Sequence, residues 1–113
     1  MKKSLSPEVV CAQYASEFLP PLPSEKIGVA LSSLQLLPLN ALRHPAEKHT
    51  CGWYIWGGTE LSQDSGFFQP LHVAHLAEYC AEIMPFLALA PGWRVLLGPA
   101  QMEVWFDENL LDV

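Results

Sequence analysis

Gly52-Trp53-Tyr54-Ile55-Trp56-Gly57-Gly58 is the stretch that decides the fold. Trp53 to Gly57 reads as a β-strand, and the Gly57-Gly58 pair breaks it. Side chains alternate along a strand, so Trp53 and Ile55 face one way and Tyr54 and Trp56 the other. Downstream, Thr59 to Phe68 reads as a loop with Asp64-Ser65-Gly66 as its turn. Pro70 to about Ile83 predicts a helix. Val73, Leu76, Ala77, Cys80 and Ile83 fall on one side at helical spacing, and His72, His75, Glu78, Tyr79 and Glu82 on the other. Pro85 ends it. Pro91-Gly92 turns the chain into a strand from Trp93 to Leu97. Gly98-Pro99 turns it again, and Met102 to Phe106 is a last strand close enough to form an antiparallel hairpin. Asp107 to Val113 is expected to make a short helical turn.

Upstream, Ser6-Pro7-Glu8 starts a helix. Ser6 caps it, Pro7 suits the first turn, and Glu8 meets the positive end of the helix dipole. Val10, Tyr14 and Phe18 repeat every four residues with Cys11 and Ala15 beside them, and Pro20, Pro21 and Pro23 close a helix of about 7–19. In Ile27 to Leu34, Ile27, Val29 and Leu31 alternate with Gly28, Ala30 and Ser32, which predicts a strand with one apolar and one very small face. Leu36 to Thr50 holds two prolines, Asn40 and no clear period, and reads as an irregular connection. The sum is one α+β domain over residues 1–113, an antiparallel sheet of about four strands with two main helices.

A chain of 113 residues is too short for two ordinary domains yet long enough to bury a core without metals or disulfides. The net charge of −6 is uneven. Up to residue 51, Lys2, Lys3, Lys26, Arg43 and Lys48 slightly outnumber Glu8, Glu17, Glu25 and Glu47. From residue 52, Arg94 alone stands against eight acids. Such a surface repels phosphate backbones, which argues against nucleic acid as a partner, and it steers basic proteins inward. Cys11, Cys51 and Cys80 are odd in number and widely spaced, so they suggest no disulfide framework. No signal peptide is visible. The apolar run from Ile83 to Trp93 is broken by Pro85, Pro91 and Gly92, so no membrane partner is expected. The cytoplasm is the expected location.

Catalytic motifs are not evident. His72 and His75 sit three residues apart, but zinc needs three or four converging ligands, and the helical wheel turns Cys80 away from them. His44, Glu47, His49 and Cys51 form a second cluster, in a stretch rich in loop signals; a cysteine nucleophile there would need a histidine within hydrogen-bond reach. No catalytic residue, metal ligand or cofactor is assigned. The second sheet face is more informative. By alternation it carries Tyr54 and Trp56, Arg94 and Leu96, and Glu103 and Trp105, and Tyr, Trp and Arg dominate binding at protein interfaces. The alternative is that the first helix lies across this face and the aromatics are core.

Gly-Trp-Tyr-Ile-Trp-Gly-Gly-Thr-Glu (52–60) resembles the opening motif of immunity protein family thirty-three of bacterial polymorphic toxin systems. That family shows a Gly-Trp strand, a glycine, an acidic loop and a helix. A Pro-x-Leu segment follows, similar to Pro85-Phe86-Leu87, then a Pro-Gly turn into a strand, similar to Pro91-Gly92-Trp93. Ile27-Gly28-Val29 resembles its earlier strand, and the resemblance covers roughly residues 27–106. It implies an α+β inhibitor that shields its own cell from a toxin and carries no catalytic residues. The acidic second half agrees with a basic toxin domain, such as a nuclease. The expected partner surface joins Tyr54, Trp56, Glu60, Asp64, Arg94, Glu103 and Trp105 to the exposed helix face of His72, His75, Glu78 and Glu82. Two other readings stand beside this one: a small metal-binding or hydrolytic enzyme using His72 and His75 or the His44–Cys51 segment, and a homodimer through a strand edge or the aromatic face.

Overall fold

The computed structural model describes residues 6–59 and 66–112. Helix α1 spans Pro7–Tyr14, β1 Lys26–Val29, β2 Leu39–Arg43, β3 Thr50–Gly57 and β4 Gln69–His72. A 3-10 turn at Val73–His75, helix α2 at Ala77–Cys80 and a 3-10 stretch at Ala81–Phe86 follow in succession. Strands β5 (Trp93–Gly98) and β6 (Gln101–Phe106) then lead to a final 3-10 turn, Glu108–Leu111. The strands form one mixed sheet in the order β4-β1-β3-β2-β5-β6, in which only β1 and β3 run parallel.

The α+β class stands, but the sheet has six strands and is mixed, where about four antiparallel strands were expected. The first additional strand, β2, lies within the stretch read as irregular. It is flanked by β3 and β5, and four of its five residues are buried, Arg43 among them. A strand covered on both faces loses the alternation that would betray it. The second, β4, occupies the start of the expected helix at Pro70. It is an edge strand, where a proline without an N–H is tolerated. The remaining helical stretch buries Val73, Leu76, Cys80 and Ile83 as the spacing predicts, while Ala77 turns outward.

Helix α1 is capped by Ser6, whose hydroxyl accepts from the Val9 N–H, and it ends at Tyr14, five residues before Leu19. Ala15 adopts the left-handed conformation, and the chain beyond it finds other partners. Leu19 N–H donates to the Ala88 carbonyl, and the Ser16 hydroxyl accepts from Ala90 N–H. Those bonds hold residues 16–19 extended along 88–90.

Both helical elements pack on one sheet face. Val10 and Cys11 of α1 join Leu76, Ile83 and Phe86 over Ile27, Val29, Trp53, Ile55 and Val95 in the main core. Inside that layer lies Arg43, only 5% exposed. Its Nε donates to the Cys51 carbonyl at 3.0 Å, and its Nη1 to the carbonyls of Leu19 (2.8 Å), Leu87 (3.2 Å) and Leu89 (2.7 Å). Burial pushes its pKa down. The guanidinium also lies over Trp53, 5.7 Å from the ring centroid, and the Trp53 indole N–H donates to Leu87 as well. Trp53 and Arg43 together pin the Leu87–Leu89 segment to the sheet. That is a physical role for the tryptophan of the Gly-Trp motif.

The motif's glycines serve packing too. Gly52 has φ +92°, and a Cβ there would run into the His44 carbonyl oxygen. Gly57 lies under a close crossing of the chain, where a Cβ would meet the carbonyl oxygens of Ser33 and Leu36.

Candidate functional site

With both helices on one face, the other face of the sheet is left to smaller covers. Strand register arranges its side chains in two rows. The first runs Pro70, Gly28, Tyr54, Leu42, Arg94, Trp105. The second runs Trp56, Asn40, Leu96, Glu103. Tyr54, Trp56, Arg94, Glu103 and Trp105 therefore share one face, and α1 does not lie across it.

Their exposure differs. Trp56 is 5% exposed, Tyr54 is half-buried, and Trp105 is 38% exposed. Phe68 stands edge-on to both inner aromatics, with ring centroids 5.1 Å from Tyr54 and 6.1 Å from Trp56, and Phe67 stands edge-on to Phe68. The Tyr54 ring lies against Gly28, where a Cβ would come within 2.7 Å of it. Leu110 of the last turn covers another part of this face, and its carbonyl is held 2.9 Å from His44 Nδ1. Between these groups is an open hollow of about 210 Å³ lined by Leu42, His44, Tyr54, Trp56 and Phe68. It is the size and polarity of a seat for one apolar or aromatic side chain. At the far end of the face, the Arg94 guanidinium lies over the Trp105 ring at 5.4 Å and bonds Asp107 at 3.2 Å.

The other expected surface residues lie elsewhere. Glu78 and Glu82 project from the helical stretch on the opposite layer and are exposed. His75 pairs with Glu78 at 3.3 Å in solvent, and its ring is 6.3 Å from that of His72 at the β4 edge. The aromatic face and the acidic helix face are thus separate surfaces on two layers. Glu60 and Asp64 lie outside the described residues. Leu42, His44, Phe67 and Phe68 were missed as members of the face. The signal for the last two was a pair of adjacent aromatics beside the Gly66 turn.

Among the described residues, neither enzyme alternative assembles. Cys51 belongs to the main core, whereas His44 packs against Tyr54 on the opposite face. All three cysteines are free and buried, and burial pushes each thiol up, Cys80 to about 11. Such thiols are poor nucleophiles at neutral pH. Among the described residues, no three His, Cys, Asp or Glu side chains converge as a metal site would require. Nor, among the same residues, is any helix long and apolar enough to cross a membrane.

A family model described as an Imm33-like domain matches residues 6–107. The match takes in α1, which lies outside the 27–106 span of the motif resemblance. No curated protein and no solved structure matches the chain.

Proposed function

The chain belongs to the Imm33-like domain family, and from that membership we propose that it is an immunity protein that neutralises a cognate bacterial toxin by direct contact and catalyses no reaction. The family match over residues 6–107 carries this reading. Two physical features support it. The sheet presents a partly open aromatic face with a side-chain-sized hollow. The surplus of acids beyond residue 51 suits a basic partner. Its site of action is the cytoplasm, where three free thiols stay reduced.

The two surfaces take different parts. The hollow around Tyr54 and Trp56 seats an apolar toxin side chain and sets the lifetime of the complex, as buried aromatic anchors do. Glu78 and Glu82 act at longer range by steering a basic toxin during approach. Charge reversal at both (Glu78→Lys with Glu82→Lys) is expected to slow association by roughly tenfold at low salt and far less at 0.5 M salt, with dissociation nearly unchanged. Surface plasmon resonance against the toxin reads both rates. Association kinetics unmoved by the reversal would remove the helix face from the account.

A further inference from the structure

The last strand of the sheet has a free edge, and its composition is unusual for one. β6 stands at the end of the strand order, and among the described residues nothing pairs with its outer side. Edge strands are commonly protected by charged side chains, lysine above all, by proline, by a bulge or by shortness, and β6 has only Glu103 of these. The opposite edge, β4, follows that rule with four residues and Pro70. β6 otherwise does not. Gln101-Met102-Glu103-Val104-Trp105-Phe106 is six residues long, pairs with β5 in unbroken register, and contains neither lysine nor proline. Met102 and Phe106 are each 48% exposed and Trp105 38%.

The direction of its backbone groups follows from the ladder. Asp107 donates its N–H to the Gly92 carbonyl at 2.7 Å, so residue 107 points its backbone toward β5. Antiparallel strands alternate in this respect. Phe106, Val104 and Met102 therefore direct their N–H and C=O groups to the free edge. The final turn does not cover them, because Leu110 folds back under the aromatic face toward His44.

We propose that β6 pairs antiparallel with β6 of a second copy about a two-fold axis at Val104, joining two six-stranded sheets into one. This register places Val104 opposite Val104, Met102 opposite Phe106, and Glu103 opposite Trp105. All three outward residues of each strand then find partners, about six hydrogen bonds in total. It also brings complementary charge together. Arg94 already reaches over Trp105 toward the edge. In the pair, the Glu103 carboxylate of the second copy lies on the other side of that indole. Arginine, indole and carboxylate line up across the seam, while the two Glu103 residues sit diagonally across the axis, each bonded to Gln101 of its own strand. Met102 and Phe106, half-exposed in the single chain, cover each other on the helical side. A strand from an unrelated protein would satisfy the backbone equally but has no reason to match this alternation of Glu103 with Arg94 and Trp105, which favours a second copy as the occupant.

Sedimentation equilibrium on the purified full chain tests the pairing, with two substitutions. Val104→Pro removes an N–H that points away from β5, a position where an edge strand accepts proline. The expected result is a dimer for the native chain and a monomer for V104P with an unchanged circular dichroism spectrum. Val104→Cys gives a second readout that does not depend on proline being tolerated. Directly opposed residues of such a pair have Cα atoms about 5.5 Å apart, within disulfide range. V104C is expected to form a covalent dimer on mild oxidation. Met102→Cys, displaced from its own copy by about 13 Å along the strands, is not. The native cysteines are buried and do not compete. A native chain that stays monomeric at 200 μM, or a dimer untouched by V104P together with equal crosslinking at 102 and 104, would overturn the proposal. A monomer whose V104P variant alone loses toxin binding would overturn it too, by assigning the edge to the toxin.

Discussion

Replacing Arg43 with alanine should cost about 3–5 kcal/mol of stability. The guanidinium is held by four backbone carbonyls and sits over Trp53. The structure gives the buried Leu89 carbonyl no other backbone donor, so the substitution leaves it unpaired, and the part-buried Leu19 carbonyl loses its donor as well. Each such group costs on the order of 1–3 kcal/mol. The arginine stem also fills space in the core, and that packing is lost as well. A domain of this size has about 5–15 kcal/mol in total, so the midpoint of thermal unfolding should fall by on the order of 15 °C. Arg43→Met separates the causes. It restores most of the volume but none of the donors, so it should be nearly as damaging as alanine. A methionine variant within about 1 kcal/mol of the native chain would mean that the carbonyl bonds contribute little.

Gly52→Ala is the second large effect. Glycine adopts φ +92° freely, whereas an L-residue there is strained by about 1–2 kcal/mol. The added methyl would also strike the His44 carbonyl, a backbone atom fixed by the β2–β3 ladder and by the bond from His44 N–H to Gly52 O at 2.9 Å. Together these should cost about 3 kcal/mol or more. Gly66→Ala is the matched control, since nothing lies within 4 Å of a Cβ at that position. It should change stability by less than about 0.5 kcal/mol. Urea unfolding of both variants measures the difference, and equal loss in the two would refute the steric reading of Gly52.

These residues also mark what the sequence could and could not disclose. The opposed faces of Trp53–Trp56 were legible, because period-two alternation places them whatever surrounds the strand. The β5–β6 hairpin was legible from its Gly98-Pro99 turn. Val73, Leu76, Cys80 and Ile83 were correctly placed on one buried side, although much of that stretch is 3-10 and not α-helical. β2 stayed hidden because a central strand has no polar face to alternate with its apolar one. Asn40, read as a loop signal, in fact closes that strand's end through amide bonds to the Pro38 and Gly58 carbonyls. Arg43 could not have been recognised as a core residue. Its partners are carbonyls, which every residue carries, so no second charged side chain announces the site.

The grouping of residues on the aromatic sheet face was legible only in part. Tyr54, Trp56, Arg94, Glu103 and Trp105 were grouped correctly by alternation, because all lie on strands whose register is regular. Joining them to Glu78 and Glu82 was a matter of layers, which periodicity within one element does not report. The helical stretch packs on the face opposite Tyr54, so the acidic patch and the aromatic hollow are presented in different directions. A steering surface apart from an anchoring surface is compatible with one partner, since charge acts over about a Debye length and an anchor acts on contact.

Protection of growing cells from the toxin is the decisive property of an immunity protein. The tagged chain is captured from its native cells, the protein bound to it at equal stoichiometry is identified, and that protein is then expressed alone or with this chain while growth is followed. The partner is expected to arrest growth alone, co-expression of the native chain to restore it, and Tyr54→Ala in the hollow to weaken the rescue while the variant remains folded. A stoichiometric partner that is harmless when expressed alone, or a toxic one that this chain leaves fully active, would contradict the immunity reading.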